Sequence, residues 1–556
     1  MPRQRSRDPL SRRPRRLAVP FRREEHVRWV RMPSRNFHRD RLIAAVERRG
    51  YPSLTSARQN MLDRVKGHFV GGKRISGDSG SAPVFNPATG EEVGRVAFAT
   101  RSEVDAAVSA AKLAFPAWSK TGLQSRAGLM IELRDAAKRV YGDIVDVIVQ
   151  ELGKTLADAR AEVDRSLEVL AQASAVGNWY GSVVTPSVSA GVDAQELRFP
   201  IGVVAGVSPF NFPIMVPTLQ CAVSIACGNT FVMKPSERVP SACAILADLF
   251  KTAGFPDGVF NVVNGDRDVV DRLLSHPDVA GITFVGSSAV AQHVRSVGVA
   301  NGKRVQAFGS GKNHMIVLPD ADLDMAADAA VSAAYGASGQ RCMAVSVVVA
   351  VGDVGDALVS KISKRIPGIK IGNPKSEDVQ LGPVISKESK VRMAEVVQTS
   401  VGQGATLVVD GVSGRAEGAG WFVSPTLIDN VRPGMAAHDI EIFGPVLSVV
   451  RVRTFDEAME ILANHPLGNG AAIFTRDGGV AKRFVDNVEA GQVGVNIPIP
   501  FPAFFHSFGG WKDSAFAESK LFGPGALNFC TRTKTVSVRW PDPATSKIDL
   551  GFPSNK

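Results

Sequence analysis

The residues of this chain best suited to covalent chemistry are a cysteine and the arginine before it. Arg341 and Cys342 lie in the stretch GQRCMA, among residues too small and polar to form a core. Two interpretations are open. Cys342 is a packed thiol beside a surface arginine, or it is a nucleophile and Arg341 binds a negatively charged group. In the second case, Gly339 would let the backbone approach a ligand.

The other cysteines are weaker candidates for a nucleophile. Three of them lie in apolar stretches of helical spacing, and the fourth, in ALNFC, fits a strand: Cys221, Cys227, Cys243 and Cys530. Five cysteines in 556 residues form no disulfide framework, and no CxxC pair suggests a zinc site. This cysteine usage predicts a reducing compartment.

Length and charge narrow the class of protein. A chain of 556 residues is longer than one hydrophobic core usually organises, so we expect two or more domains. Residues 1–60 contain 17 arginines against five acidic residues, whereas the remaining 496 residues carry a net charge of −1. The excess charge therefore lies in one arm, and the globular body is not expected to bind nucleic acid.

The arm of residues 1–60 is rich in arginine, interrupted by proline and poorly periodic. It is predicted to be disordered, or to precede the start codon that the cell uses. A mitochondrial transit peptide and a nucleic-acid-binding arm stay open as alternatives, although Pro9, Pro14 and Pro20 would interrupt an amphipathic helix. The expected location is cytoplasmic, or mitochondrial if the arm is a transit peptide.

Residues 199–233 contain neither a charged residue nor a histidine, which resembles a membrane span. Prolines and amide side chains interrupt this segment, so it lacks the ~20 consecutive apolar residues that a membrane helix needs. We expect a buried strand, a loop, a helix and a second strand there. No membrane partner is predicted.

Helical and strand-like stretches must position any site on this chain. Helical spacing covers residues 102–118, 125–152 and 158–179. Strands and helices then alternate, with strands predicted at 201–207, 230–235, 258–265 and 281–286 and helices at 217–228, 241–254, 269–276 and 288–298. This alternation predicts an α/β fold with a doubly wound parallel sheet, and a second α/β region follows at about 315–495.

Short pieces at the predicted strand ends indicate a nucleotide, although no GxGxxG follows the first strand. KPSER ends a strand where a ribose would lie, and Lys234 and Glu237 could hydrogen-bond the ribose hydroxyls. GSSAV places Ser287 at a strand-to-helix junction, where free N–H groups favour a phosphate. Each piece alone would also fit a cap or a turn, but together they favour a nucleotide.

Five motifs stand in the order and spacing of the aldehyde dehydrogenase superfamily, which this chain resembles: SPFNFP, KPSER, FVGSS, GQRC and EIFGPV. The resemblance covers about residues 70–540, and that superfamily binds NAD without a GxGxxG. Further pieces narrow it to the CoA-acylating methylmalonate-semialdehyde dehydrogenases: ACGNTFVMKPSER, KNH, GQRCMA and GQVGVNIPIP. The resemblance implies oxidation of methylmalonate or malonate semialdehyde with NAD, and CoA as co-substrate, to propionyl-CoA or acetyl-CoA.

The resemblance also implies roles for matching residues. Cys342 would be the nucleophile, Asn211 would join the Cys342 N–H as an oxyanion donor, and Arg341 and Arg165 would bind the substrate carboxylate. From spacing alone, Asn211 could instead cap a helix and Arg165 could be a solvated helix charge. Phe443 would line the nicotinamide end. The cofactor-binding residues implied are Ser208, Phe210, Lys234, Glu237, Arg238, Ser287, Gly309 and Glu441.

One departure from the superfamily pattern concerns the fate of the acyl-enzyme. Hydrolytic aldehyde dehydrogenases carry a glutamate before a glycine-rich turn, where it acts as base for the deacylating water. In VQAFGSGKNH we expect Ala307 in that place. Alanine accepts no proton, so the acyl-enzyme should wait for a thiol such as that of CoA.

The resemblance implies a division of the chain and an assembly. Residues 66–181 and 200–307 would bind NAD, 308–515 would form the catalytic domain, and 182–199 with 524–541 would form a small β element that builds a homotetramer. A hydrolytic aldehyde dehydrogenase for another aldehyde stays an alternative, against which Ala307 and Arg341 argue. A non-catalytic protein that binds through the basic arm is the other, against which Cys342, Asn211 and Glu441 argue.

Overall fold

The computed structural model describes residues 65–77, 79–413, 419–500, 503–540 and 543–544. The predictions for the arginine-rich arm therefore lie outside the described residues. All of the described residues belong to one compact unit. Within them, no helix is long and apolar enough to cross a membrane.

The described strands are numbered in chain order. They are β1 (Val65–Lys66), β2 (His68–Val70), β3 (Lys73–Ile75), β4 (Ser81–Phe85), β5 (Glu92–Ala97), β6 (Val183–Ser189), β7 (Val192–Pro200), β8 (Val203–Val207), β9 (Thr230–Lys234), β10 (Phe260–Val262), β11 (Val279–Val285), β12 (Arg304–Phe308), β13 (Asn313–Val317), β14 (Val345–Val351), β15 (Thr406–Val409), β16 (Thr426–Val431), β17 (Val446–Val452), β18 (Leu467–Gly468), β19 (Gly470–Phe474), β20 (Gln492–Val495), β21 (Trp511–Lys512), β22 (Ala515–Ala517) and β23 (Thr531–Arg539).

The described α-helices follow the same order, and short 3₁₀ turns lie at Val176–Asn178, Gly336–Gly339 and Ile366–Gly368. The helices are α1 (Arg101–Trp118), α2 (Leu123–Arg139), α3 (Tyr141–Leu152), α4 (Leu156–Ser174), α5 (Met215–Ala226), α6 (Ser241–Thr252), α7 (Arg267–Ser275), α8 (Ser288–Ala300), α9 (Leu323–Tyr335), α10 (Val354–Arg365), α11 (Lys387–Gly402), α12 (Ala436–Asp439), α13 (Phe455–Asn464), α14 (Gly478–Asn487) and α15 (Pro524–Cys530).

The first large sheet has the strand order β22-β12-β11-β8-β9-β10-β2-β3. Its five central strands, β12 to β10, pair in parallel, and β22, β2 and β3 pair antiparallel at its two edges. Every residue of β8 and β9 is buried, as expected for a parallel sheet with helices on both faces. The predicted doubly wound α/β fold is confirmed.

The second large sheet has the order β15-β16-β17-β14-β13-β19-β20. Its pairs are parallel except for β15, which runs antiparallel to β16 at one edge. The predicted second α/β region is therefore present. Smaller sheets consist of β1-β5-β4 and β18-β21.

A separate antiparallel sheet has the order β23-β7-β6 and joins two distant parts of the sequence. Val183 and Val184 of β6 are exposed, as are most of the residues of that strand. The strands lie in the segments 182–199 and 524–541 that we assigned to oligomerisation. That role stays a prediction.

Two local predictions are wrong. The stretch 125–152 is not one helix, because Val140 has φ −110° and ψ 23°, which separates α2 from α3. Cys530 is not a strand residue but the last residue of α15, and β23 begins at the next position. Pro524 suits the first turn of this helix, where its missing N–H costs no hydrogen bond.

Candidate active site

A cavity of about 760 Å³ opens beyond the carboxyl ends of β8, β9 and β11. This is the edge where doubly wound sheets bind their ligands. The cavity extends to the start of β14 and the segment before β17. The predicted site residues that line it are Ser208, Phe210, Asn211, Lys234, Glu237, Arg238, Ser287, Gly309, Cys342 and Glu441.

One end of the cavity carries a paired lysine and glutamate. Lys234 is buried at the last position of β9, and its Nζ donates to Glu237 Oε2 at 3.0 Å. Burial, the largest single effect, would raise the pKa of Glu237, but the Lys234 ammonium, a backbone N–H and the Arg238 charge together hold that pKa below its usual value. Glu237 is therefore an ionised acceptor, which suits the hydroxyls of a ribose.

The amino end of α8 lies at the wall of the same cavity. Ser287 is the N-cap residue of this helix, and its side chain makes no capping hydrogen bond. Helix amino ends concentrate N–H groups and a positive partial charge. Ser287 and the first turn of α8 therefore suit a phosphate, as the sequence predicted.

The backbone before Cys342 has an unusual conformation. After α9 ends, Ala337, Ser338 and Gly339 all have left-handed φ values of 50°, 55° and 68°. A Cβ at Gly339 would collide with the carbonyl oxygen of Gly444. Gly339 was expected to admit a ligand, but it is the backbone of Gly444 that approaches it, and this contact joins the cysteine loop to the segment after Glu441.

Cys342 differs from the other four cysteines because it alone is partly exposed. Burial and then the carboxylate of Glu441 raise its pKa to about 11, against the opposing effect of the N–H groups of Cys342 and Met343 and of the Lys154 ammonium. The resting group is therefore a thiol at neutral pH. Its proton must leave before the sulfur can act as a strong nucleophile.

Asn211 is buried beside the cysteine loop. Its Nδ2 donates to the carbonyl oxygen of Gln340 at 2.9 Å, and Gln340 Oε1 accepts from the Ile385 N–H at 3.1 Å. The α5 helix begins after Ile214 without a side-chain cap, so the alternative role of Asn211 as a helix cap is wrong. One amide hydrogen fixes the side chain, and the second can serve an oxyanion.

Two residues that the sequence analysis missed support the Asn211 loop. Lys154 Nζ donates to Glu162 Oε2 at 2.6 Å and lies 3.8 Å from the centre of the Phe212 ring. Glu162 Oε1 accepts the N–H groups of Ile214 and Met215 at 3.0 and 3.2 Å. The pair is buried, and no local motif marks it, because its partners are about 50 residues further along the chain.

Glu441 lies on a backbone segment held from both sides. Its Oε1 accepts the Gly311 N–H at 2.8 Å, and burial raises its pKa. Arg392 donates to the Ile442 carbonyl at 2.8 Å, and Lys312 donates to the Ile440 carbonyl at 2.8 Å. These contacts position Glu441 in the cavity wall.

Phe443 follows this segment and lines the same cavity. Its ring meets the Phe210 ring edge to face, with 5.7 Å between centroids. The two rings form an apolar wall beside Cys342.

The two predicted substrate arginines differ in their surroundings. Arg341 is part-buried, and its Nη2 donates to Asp158 Oδ1 at 2.5 Å. Arg165 is exposed on α4, where its Nη1 donates to Glu168 Oε2 at 2.7 Å. The lining of the cavity that contains Cys342 includes neither arginine. Arg341 lines a smaller pocket together with Gly339 and Glu441, whereas Arg165 remains on the exposed face of α4.

The strand that should carry a deacylating base offers none. Ala307 is fully buried in β12, where it pairs with Phe284 and Phe516. Its neighbour Phe308 is also buried. Neither side chain accepts a proton, so the end of β12 supplies no base toward Cys342.

Three buried histidines form a cluster next to the segment that carries Glu441. The rings of His314, His438 and His465 lie 5.2 to 5.4 Å apart. Ligand-type atoms of His438, Asp439 and His465 lie within 4.8 Å of one another, which a metal ion could use. However, His438 Nδ1 already bonds Asp439 Oδ1 at 2.6 Å, and the Leu467 N–H donates to His465 Nδ1 at 3.1 Å. The cluster is therefore a packed group of rings.

Comparison with known proteins agrees with this geometry. Residues 75–536 match the aldehyde dehydrogenase family. A malonate-semialdehyde dehydrogenase of Pseudomonas aeruginosa is 44% identical over 491 residues, which cover 88% of this chain and 99% of the relative. The malonate-semialdehyde dehydrogenase 1 of Geobacillus thermodenitrificans is 44% identical over 475 residues, which cover 85% of this chain and 98% of the relative.

Two solved structures are similar at the level of the backbone. The methylmalonate-semialdehyde dehydrogenase of Oceanimonas doudoroffii has a TM-score of 0.85 and 44% identity, covering 86% of this chain and 99% of that one. A Sinorhizobium meliloti protein is described as a methylmalonate-semialdehyde dehydrogenase and was crystallised with NAD. It has a TM-score of 0.85 and 44% identity, and the match covers 87% of this chain and 99% of that one. This chain belongs to the aldehyde dehydrogenase family.

Proposed function

We propose that this protein oxidises malonate or methylmalonate semialdehyde with NAD and transfers the resulting acyl group to CoA. The observation that carries the proposal is that Cys342 shares one cavity with Lys234, Glu237, Ser287 and Glu441. The names of the relatives and of the structural neighbours support the substrate class. The NAD complex of one neighbour supports the cofactor.

Bond formation begins at Cys342. Once the thiol proton has passed to solvent, the Cys342 sulfur attacks the aldehyde carbon, and the carbonyl π electrons move to the oxygen, which gains a negative charge. Asn211 Nδ2 and the Cys342 N–H are the donors available for that oxygen, and fixed donors of this kind stabilise a developing oxyanion. The hydrogen bond from Asn211 to Gln340 holds the amide in place before the reaction starts.

The cavity fits NAD by its donors and acceptors. Lys234 and Glu237 would hold the adenosine ribose, the amino end of α8 with Ser287 a phosphate, and Glu441 the nicotinamide ribose. Ser208, Phe210, Arg238 and Gly309 complete the predicted wall. When bound, NAD supplies the acceptor for the aldehyde hydrogen and its two electrons.

The product of this oxidation is a thioester on Cys342. A carboxylate β to the thioester carbonyl can leave as carbon dioxide, and its bonding electrons form an enolate that takes up a proton. Because Ala307 and Phe308 provide no base for water, the acyl group persists until the CoA thiol attacks and regenerates Cys342. The products would be propionyl-CoA or acetyl-CoA.

Recognition of the substrate carboxylate is assigned to Arg341, next to the nucleophile. An arginine fork binds a carboxylate with two parallel hydrogen bonds. Arg165 would join it only after its side chain leaves Glu168. We retain Arg165 as the second, more distant candidate.

We further propose a homotetramer in which β6, β7 and β23 pair between subunits. The exposed valines Val183 and Val184 support this, because apolar side chains on a strand surface favour burial against a partner. The relatives named above are bacterial, so a mitochondrial destination of the N-terminal arm gains no support.

One assay tests the function. NADH formation is followed by its absorbance with malonate semialdehyde and methylmalonate semialdehyde, each with and without CoA. Turnover that needs CoA is the expected result. Turnover without CoA would select the hydrolytic alternative, and no turnover with either substrate would favour the non-catalytic one.

A further inference from the structure

Arg341 does not stand alone beside the nucleophile, because a carboxylate of this chain already binds it. Its Nη2 donates to Asp158 Oδ1 at 2.5 Å, and both side chains are largely screened from solvent, with exposures of 26% and 17%. The two residues are 183 positions apart in sequence. A contact over such a separation requires α4 and the cysteine loop to be held together.

Asp158 is itself fixed by the start of α4. Thr155 is the N-cap residue, and its hydroxyl accepts the Asp158 N–H at 3.2 Å. The same hydroxyl lies 3.2 Å from Asp158 Oδ2. One carboxylate oxygen therefore meets the helix cap, and the other meets Arg341. The favourable field at a helix amino end also stabilises the negative charge.

The guanidinium also lies against a glycine. A Cβ at Gly336 would lie 2.6 Å from Nη1 and 2.9 Å from Cζ of Arg341. Among the described residues, Nη2 is the only nitrogen of the Arg341 side chain with a hydrogen-bond partner. The group is thus confined by Gly336 and Asp158, whereas Nε and Nη1 keep their hydrogens for another acceptor.

We propose that Asp158 is a positioning residue that sets the substrate specificity of this site. It holds Arg341 by one edge and thereby presents the remaining N–H groups to the carboxylate of a semialdehyde bound at Cys342. This inference rests on the proposed function. An unheld arginine samples many rotamers, so the substrate would have to order the side chain on binding.

The test compares Asp158→Asn and Asp158→Ala with the wild type, on malonate semialdehyde with CoA and on propanal, which lacks the carboxylate. For Asp158→Asn we expect the KM for malonate semialdehyde to rise about tenfold, as for the loss of one hydrogen bond to a charged group. kcat should change little, and the kinetics on propanal should stay within about twofold of wild type. Asp158→Ala should show the larger rise.

Asp164→Asn is the matched control, since Asp164 is an exposed carboxylate on the same helix. Asp164→Asn should leave KM and kcat unchanged for both substrates. An unchanged or lower KM for malonate semialdehyde in Asp158→Asn would overturn the inference. An unchanged KM would mean that Asp158 does not affect substrate binding, and a lower KM would mean that Asp158 competes with the substrate for Arg341. An equal loss on propanal would also overturn it. If the wild type itself does not turn over malonate semialdehyde, the proposed function fails instead.

Discussion

Two groups of polar side chains lie at the segment 439–441, one of them including Glu441 itself, and they differ in how their hydrogen bonds are satisfied. On one side, Asn211 and Glu441 each have a partner and also face the cavity that contains Cys342. On the other side, His314, His438 and His465 pack ring against ring, and among the described residues the Nε2 of each has no hydrogen-bond partner.

The difference shows what separates a reaction site from a polar core. In the cavity wall, Asn211 uses one amide hydrogen for the Gln340 carbonyl, which leaves its second amide hydrogen for another acceptor. In the histidine cluster, burial lowers the pKa of all three rings, which keeps them neutral. Burial of polar groups alone therefore does not identify the site; the cavity and the free donors do.

The largest expected effect is on the cavity side. Cys342→Ala removes the atom that forms the thioester, so NADH formation should fall by at least about a thousandfold, as for other covalent nucleophiles. NAD should still bind, as measured by calorimetry, because the cofactor contacts lie elsewhere. Cys243→Ala, in the buried face of α6, is the control and should retain turnover. Substantial activity in Cys342→Ala would refute the assignment of the nucleophile.

A smaller effect is expected at the arginine beside it. Arg341→Leu should raise the KM for malonate semialdehyde by about ten- to a hundredfold, since a hydrogen bond to a charged group contributes roughly 1.5–3 kcal/mol. Propanal has no carboxylate and should show a much smaller change. Steady-state kinetics on both substrates separate the two effects. Equal losses would mean that Arg341 acts on Cys342 and not on the substrate charge.

The residues on the cavity side occur in short motifs at strand ends, and the structure brings them to one cavity. Lys234 and Ser287 follow from the alternation of strands and helices. The polar, glycine-rich setting of Cys342 left a packed thiol and a nucleophile both open, and the family resemblance decided between them. The specific roles of Asn211 and Glu441 came from the family resemblance.

Contacts between distant parts of the chain were not predictable. Asp158 binds Arg341 across 183 positions, and the histidines are brought together from three separate elements. No local periodicity contains that information. The same limit explains Arg165, since spacing gives the face of a helix but not the rotamer that the side chain adopts there.

The electrostatic coupling across the cavity gives a third prediction. The Glu441 carboxylate helps to raise the pKa of Cys342, so Glu441→Gln should lower that pKa. Below the thiol pKa, the thiolate fraction rises tenfold for each unit by which the pKa falls, so alkylation by iodoacetamide at about pH 8 should accelerate, by up to roughly tenfold. The pH profile of the alkylation rate is the measurement. An unchanged profile would mean that the two groups are not coupled.

The smallest effect is expected in the histidine cluster, and it concerns stability. Burial lowers the pKa of His465 to about 4, below the value near 6.5 of an unfolded histidine. Between pH 6.5 and pH 4 the unfolded state therefore binds a proton that the folded state does not, so stability is fully present above pH 6.5 and falls as the pH falls. One such histidine costs about 1.4 kcal/mol per pH unit in this window.

His465→Asn should therefore flatten the acid dependence of unfolding, even if the lost packing lowers stability at every pH. Melting temperatures measured at several pH values from about 7.5 down to about 5 give the slope, and the slope is the quantity to compare. His506→Asn, at an exposed position, is the matched control and should keep the wild-type slope. The remaining histidines of the cluster have lowered pKa values of the same sign, so part of the slope should survive. If His465→Asn retains the full wild-type slope, the acid sensitivity arises from other groups, and the contrast between the two sides of segment 439–441 loses its electrostatic basis.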